Sequence, residues 1–204
     1  KKNSGVSKAY NKAAKIAKKN EKEWIFLLDQ DTMFPEDSLV QYLRAIDNFD
    51  SNLFVPKLKV NNKIYSPANF FLKRGFPIDT LSKGFHDITG KTILNSGVLI
   101  KLETFEIVGG FNEKIKLDFS DIYFFEKYKR YYTKFYLLDV ECKHGFSDNE
   151  NGFKSSLTRY KFFCDGAIEF SNNFFSYINL FLIVFLRGIK FSLRLKTIDF
   201  MKIF

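Results

Sequence analysis

Asp29 and Asp31 stand one residue apart in Asp29-Gln30-Asp31-Thr32, directly after Trp24-Ile25-Phe26-Leu27-Leu28. Two carboxylates this close repel each other unless a cation sits with them. Hard oxygen ligands suit Mg²⁺ or Mn²⁺, ions that in turn hold phosphates. The apolar run before the acids reads as a short strand buried on both faces, as in a parallel sheet covered by helices. Ligands of open α/β sheets bind beyond the carboxyl ends of the strands, which is where these acids fall. An Asp-x-Asp alone is also a common polar turn; its place after the strand is what singles it out.

A second acidic pair, Asp118 and Asp121, precedes the apolar-aromatic segment Ile122 to Tyr131. On pattern alone Asp121 is an ordinary helix cap. His144 follows the apolar run Phe135-Tyr136-Leu137-Leu138, a place where a lone His is usually a surface turn residue. An imidazole beside two carboxylates is nevertheless a reasonable ligand set for a divalent cation. Asn95 and Ser96 break the apolar stretch Thr92 to Ile100, and the plain reading is a hydrogen-bonded strand end. His86-Asp87 lies in the stretch from Pro67 to Lys91, which shows no clean period and reads as a long loop.

The elements that must hold these residues are partly legible. Val6, Ala9, Ala13, Ile16 and Ala17 share one helical face, with Lys8, Lys12, Lys15 and Lys19 opposite. Pro35-Glu36-Asp37 starts a helix with an expected apolar stripe of Leu39, Val40, Leu43 and Ile46. Leu53-Phe54-Val55 is a buried strand, and Asn61-Asn62 between two alternating runs predicts a tight hairpin. Leu102 to Val108 predicts a short helix ended by Gly109-Gly110.

Length and composition bound the class. A chain of 204 residues can bury a full core, and 26 phenylalanines supply it. Cys142 and Cys164 lack metal-ligand spacing and fit free thiols in a reducing compartment. Residues 1–20 hold seven Lys and no acid, and residues 187–204 carry a net +4, so the part between carries −2 of the total +9. That middle is not a basic surface, which argues against a nucleic-acid groove. Phe174 to Leu186 is strongly apolar but short of the ~20 residues a spanning helix needs. With Arg187, Lys190 and Arg194 it fits a peripheral membrane contact through residues 174–204. A helix packed on the catalytic domain and a homodimer interface fit the same pattern.

Taken in order, Asn3-Ser4-Gly5 with Ala9-Tyr10-Asn11, Asp29-Gln30-Asp31-Thr32, Asn95-Ser96-Gly97-Val98-Leu99-Ile100, Val108-Gly109-Gly110-Phe111-Asn112-Glu113 and Asp118-Phe119-Ser120-Asp121 resemble a family 2 glycosyltransferase of the GT-A fold. The rhamnosyltransferase-like branch, which favours the Asp-Gln-Asp-Thr form, is the nearest match. The resemblance runs from about Asn3 to His144. Its order is specific for the family and not for the sugar. It implies an α/β fold with a GT-A (Rossmann-like) mixed, mostly parallel sheet flanked by helices. Residues 1–150 would form the catalytic domain and 151–204 a C-terminal helical segment.

The resemblance further implies inverting transfer from a nucleotide-sugar donor, dTDP-rhamnose among the options, to a glycan or lipid-linked acceptor. Mn²⁺ or Mg²⁺ would be held by Asp31 and Asp29 with His144. Asp29, Asn11, Asn95 and Ser96 would line the substrate. Asp121 would be the general base and Asp118 a supporting acid. Work at the cytoplasmic face of the membrane is the expected setting. Phe124-Phe125-Glu126-Lys127 departs from the Arg-rich helix usual in the family, and Cys164-Asp165 stands where the branch has an Arg-Asn pair. The family's first strand–helix–strand unit, which binds the base, is expected before Lys1, so the sequence reads as a member lacking that part. The rival expectation is a non-catalytic remnant or a membrane-peripheral cation-binding protein.

Overall fold

The computed structural model describes residues 5–145 and 152–203. Asn3, Ser4 and the expected domain boundary at 150/151 lie outside the described residues. The chain opens with helix α1 (Val6–Lys19), strand β1 (Trp24–Leu27), the two-residue strand β2 (Thr32–Met33) and helix α2 (Ser38–Asn48). Strands β3 (Leu53–Val60), β4 (Lys63–Phe71), β5 (Arg74–Ile78), β6 (Gly84–Asp87), β7 (Lys91–Thr92) and β8 (Val98–Lys101) follow. Then come α3 (Leu102–Val108), α4 (Ser120–Tyr128), β9 (Lys134–His144), α5 (Phe153–Phe170) and α6 (Phe174–Leu195).

Among the described residues one sheet runs β1-β8-β3-β4-β5, with β9 beside β3, β2 and β6 on β9, and β7 on β4. The sheet is mixed and flanked by helices, as expected. Its pairing is not mostly parallel: β3 with β9 is the one parallel pair, and the remaining ladders are antiparallel. The reason lies in the connections. Tight turns join β3 to β4 and β4 to β5, and such short links permit only antiparallel neighbours. Asn61 and Asn62 both take positive φ at the first turn, as an Asn-Asn hairpin requires.

Three further expectations need correction. β1 is an edge strand, antiparallel to β8, and its residues alternate between half-buried and buried. Ile25 and Leu27 pack on the α1, α3 and α4 side, whereas Trp24 and Phe26 pack on the α2 side. The stretch Pro67 to Lys91 is no long loop, for it holds the end of β4 with β5 and β6. His86 lies in β6, its Nε2 2.6 Å from the Ser82 carbonyl oxygen and its ring stacked on Phe135. The expected faces of two helices are also rotated. α2 buries Tyr42 and Ala45 and leaves Leu39, Val40 and Leu43 exposed. α1 buries Ser7 and Ala14 and leaves Ile16 exposed, because its inward side makes hydrogen bonds as well as apolar contacts.

α5 and α6 pack around a third apolar cluster that includes Phe119, Tyr160, Phe163 and Phe200. α6 is 22 residues long, longer than the apolar run alone suggested, and so has the length of a spanning helix. Its middle is nevertheless fixed to the protein. The Tyr160 hydroxyl donates to the Val184 carbonyl at 3.0 Å, and Gly188 lies so close to Tyr160 that a Cβ there would stand 2.4 Å from its oxygen.

Candidate functional site

β1 ends at Leu27, and the chain turns through Asp29 and Asp31 into β2. Two residues of β2 suffice to join the last two residues of β9, with Thr32 opposite His144. His144 is therefore the end of a strand rather than a turn residue after one. This ladder carries the imidazole to the acidic turn: Nδ1 of His144 lies 3.8 Å from Oδ1 of Asp31. The same nitrogen is 2.7 Å from the Thr32 hydroxyl, which accepts from Ser96 at 2.7 Å. The Ser96–Thr32–His144 chain fixes the ring beside Asp31.

Tyr10 was not among the residues singled out by sequence, yet it reaches the centre of the site. Its hydroxyl donates to Asp29 Oδ1 at 2.8 Å and stands 3.0 Å from the Leu28 carbonyl oxygen. Burial pushes its pKa strongly up, and the charges of Asp29, Asp121 and Asp31 add to the rise. Of the three, Asp29 is the one in hydrogen-bond contact with the phenol. Asp29 is itself pushed up, first by burial and further by Asp31, against the lowering effects of Tyr10 and His144. The signal available in the sequence was spacing: Ser7, Tyr10, Asn11, Ala14 and Ala17 recur at helical intervals, but as a face of mixed polar and small apolar residues.

Asp121 lies in the first turn of α4, with its Oδ1 accepting from the Ile122 amide at 2.9 Å. Burial raises its pKa to about 7, the Ile122 hydrogen bond opposes this, and the charges of Asp29 and Asp118 push it further up. Phe119, just before the helix, is held at φ 69° between Phe163 and Phe170. A non-glycine residue in that conformation is strained and stays there only because its surroundings hold it.

Other expected residues are turned to the protein. Asn11 donates to the Phe111 carbonyl oxygen at 2.9 Å and to Glu113 at 3.1 Å, and accepts from the Phe111 amide at 2.9 Å. Its amide clamps the segment after Gly110. Ser96 is fully buried and belongs to the His144 support. Gly97 takes φ 78° and accepts from Tyr42, and a Cβ there would meet Pro56 at 2.6 Å. Asn95 is buried with its side-chain oxygen unpaired. Asp118 faces Arg187 at 3.6 Å and Arg159 at 3.9 Å, from α6 and α5. It ties the helix pair to the site segment.

The donor set fits a divalent cation in a particular way. Among the described residues no three His, Cys, Asp or Glu side chains form a closed metal cluster. Asp29 is drawn toward Tyr10, which leaves Asp31 and His144 as the nearest pair. A hard cation such as Mg²⁺ is commonly held by one or two carboxylates, with substrate phosphates completing its shell. The residues present fit that half-shell better than a dedicated protein cage.

No family model and no curated protein matches the sequence. Solved structures do match. Residues 1–349 of Staphylococcus aureus TarS align with a TM-score of 0.50 at 16% identity, covering 86% of this chain and 51% of that one. TarS in complex with UDP gives 0.48 at 16% identity, covering 82% and 45%. TarS in complex with UDP-GlcNAc gives 0.47 at 18%, covering 82% and 47%. The chain spans about half the length of the structures it matches. The likeness bears on the fold: a mixed sheet flanked by helices, consistent with a GT-A-like architecture.

Proposed function

We propose that this chain carries the cation and acceptor side of an inverting glycosyltransferase, which moves a sugar from a nucleotide-sugar donor to a hydroxyl of a glycan or lipid-linked acceptor. One observation supports this above the others. Asp121 opens α4 largely removed from water, and the charges that act on it most strongly, Asp29 and Asp118, are both acids and not cations. A carboxylate with a pKa near 7 is well matched to accept a proton at neutral pH. Its carboxylate takes the proton of the attacking hydroxyl as that oxygen displaces the nucleoside diphosphate in one in-line step. No covalent nucleophile is needed.

Asp31 and His144 would hold Mn²⁺ or Mg²⁺, with Asp29 beside them. Such an ion, when bound, neutralises charge building on the diphosphate. Tyr10 orients Asp29, and Thr32 with Ser96 orients His144. The donor is proposed only as a nucleotide sugar. UDP-GlcNAc, a ligand of TarS, and dTDP-rhamnose, the expectation from the sequence, are the two donors to try first.

The test is release of nucleoside diphosphate from each donor with Mn²⁺, by the chain and by its Asp121→Asn and Asp31→Asn variants. Mn²⁺-dependent release that Asp121→Asn removes while donor binding persists supports the reading. Release that survives both substitutions, or Mn²⁺ binding with no release from any donor, sinks it.

A further inference from the structure

Phe71 and Leu72, at the turn between β4 and β5, are 66% and 58% exposed. Leu72 and Lys73 both have positive φ, 46° and 61°, a conformation that Asn or Gly adopts far more readily than Leu. A large apolar side chain is thus held out on a strained tip. The tip does not stand alone. The Asn179 side-chain amide of α6 donates to the Leu72 carbonyl at 2.6 Å, and Lys73 lies over the ring of Phe170 at 4.3 Å. α6 exposes Phe174, Phe175, Ile178, Leu182 and Leu186. Four of these lie at intervals of four residues, a ridge that continues into Lys190 and Arg194, both exposed. Two elements far apart in sequence therefore form one apolar surface with a basic margin.

We propose that this surface docks in the plane of an anionic lipid bilayer, with the hairpin tip and α6 entering the headgroup region side by side. The occupant follows from charge and chemistry. Residues 153–203 carry eight Lys and Arg against three acids, and the tip adds Lys73 and Arg74. Exposed Phe and Leu beside basic residues match the boundary between acyl chains and anionic headgroups. A groove of about 170 Å³ lined by Ile168, Tyr177, Leu180 and Phe181 among others adds an apolar recess on the α5 side of α6. Contacts within the fold oppose spanning. One side of α6 is held by Tyr160, and Arg187 in its second half pairs with Asp118. This proposal does not depend on sugar transfer.

The test is co-sedimentation of the chain with vesicles of phosphatidylcholine, alone or mixed with phosphatidylglycerol, alongside the variants Leu72→Asn, Phe71→Ser with Phe175→Ser, and Lys190→Glu with Arg194→Glu. Leu72→Asn suits the positive φ of that position, so it removes the apolar contact without disfavouring the hairpin. Binding to the mixed vesicles is expected, weakened about tenfold or more by each apolar variant and by the charge-reversed one, with circular dichroism unchanged. Absence of binding to mixed vesicles overturns the proposal. So does binding that ignores the apolar variants, which would move the contact elsewhere, for example to the lysines of α1. A concentration-dependent dimer, abolished by the same variants and accompanied by no vesicle binding, would assign the face to a second copy of the chain instead.

Discussion

Asp118 and Asp121 stand three residues apart, on the two sides of one strained turn, and their surroundings are opposite. Asp118 looks toward the helix pair, where Arg159 and Arg187 offset its charge and Arg187 stacks on Phe163 at 4.0 Å. Asp121 has no cation among the groups that act on it most: burial, with the like charges of Asp29 and Asp118 added, raises its pKa to about 7. A buried acid that meets cations is usually structural. A half-buried acid kept among other acids costs folding free energy and is the kind of group found at functional sites. The contrast keeps the order expected from the sequence, Asp121 before Asp118, but gives Asp118 ion pairs to the helix pair that the motif did not announce.

The largest expected effect separates their roles. Asp121→Asn should lower turnover by roughly 10²–10⁴ and leave donor affinity nearly unchanged, as loss of a general base does. Asp118→Asn should lower it far less. Steady-state rates with donor titrations for both variants would check this, and equal losses would erase the distinction.

The Asn11 clamp should show the largest stability effect. Asn11→Ala leaves the Phe111 amide and carbonyl without their partner and should cost about 2–4 kcal/mol. Urea unfolding would report it. Asp118→Asn should cost about 1–3 kcal/mol, between the values for surface and buried pairs. It should also loosen α5 and α6 selectively, seen as faster amide hydrogen exchange in those helices.

The pH dependence follows from the sign of the Asp121 shift. Its folded pKa lies above the ordinary 3.8, so its carboxyl favours the folded state at low pH and that contribution is lost as pH rises toward about 7. Thermal melts of the Asp121→Asn variant should therefore gain on the unaltered chain between pH 4 and 7. Activity of the unaltered chain should rise over the upper part of the same interval as the base ionises. A variant whose melting curve tracks the unaltered chain at every pH would argue against a desolvated Asp121. The smallest effect is expected from Thr32→Val, which keeps shape but breaks the Ser96–His144 link, at about 1 kcal/mol in chemical denaturation.

Some of this was legible from local chemistry. Asn61-Asn62 specified its turn because few residues accept two positive φ values in succession. Gly109 ended α3 in the left-handed conformation for the same kind of reason. The acidic turn was marked by two like charges after an apolar run, a pattern that needs no distant partner to be noticed. Ordered short motifs pointed to a mixed sheet flanked by helices, which the chain has.

Other features were decided only by contacts between distant residues. His144 meets Asp31 because β2 pairs with the end of β9, a ladder of two residues that no local period announces. Tyr10 reaches Asp29 because α1 turns a polar face inward, where hydrogen bonds to Ile115, Phe111 and Glu113 replace the apolar stripe sought in the sequence. Asp118 became an anchor rather than a second acid of the cleft because α5 and α6 bring two arginines to it. Hydrophobic periodicity and turn chemistry are properties of neighbouring residues, so the sequence alone can carry them. The partner of a charge or of a hydroxyl is set by how the chain closes on itself, so only the tertiary structure assigns it.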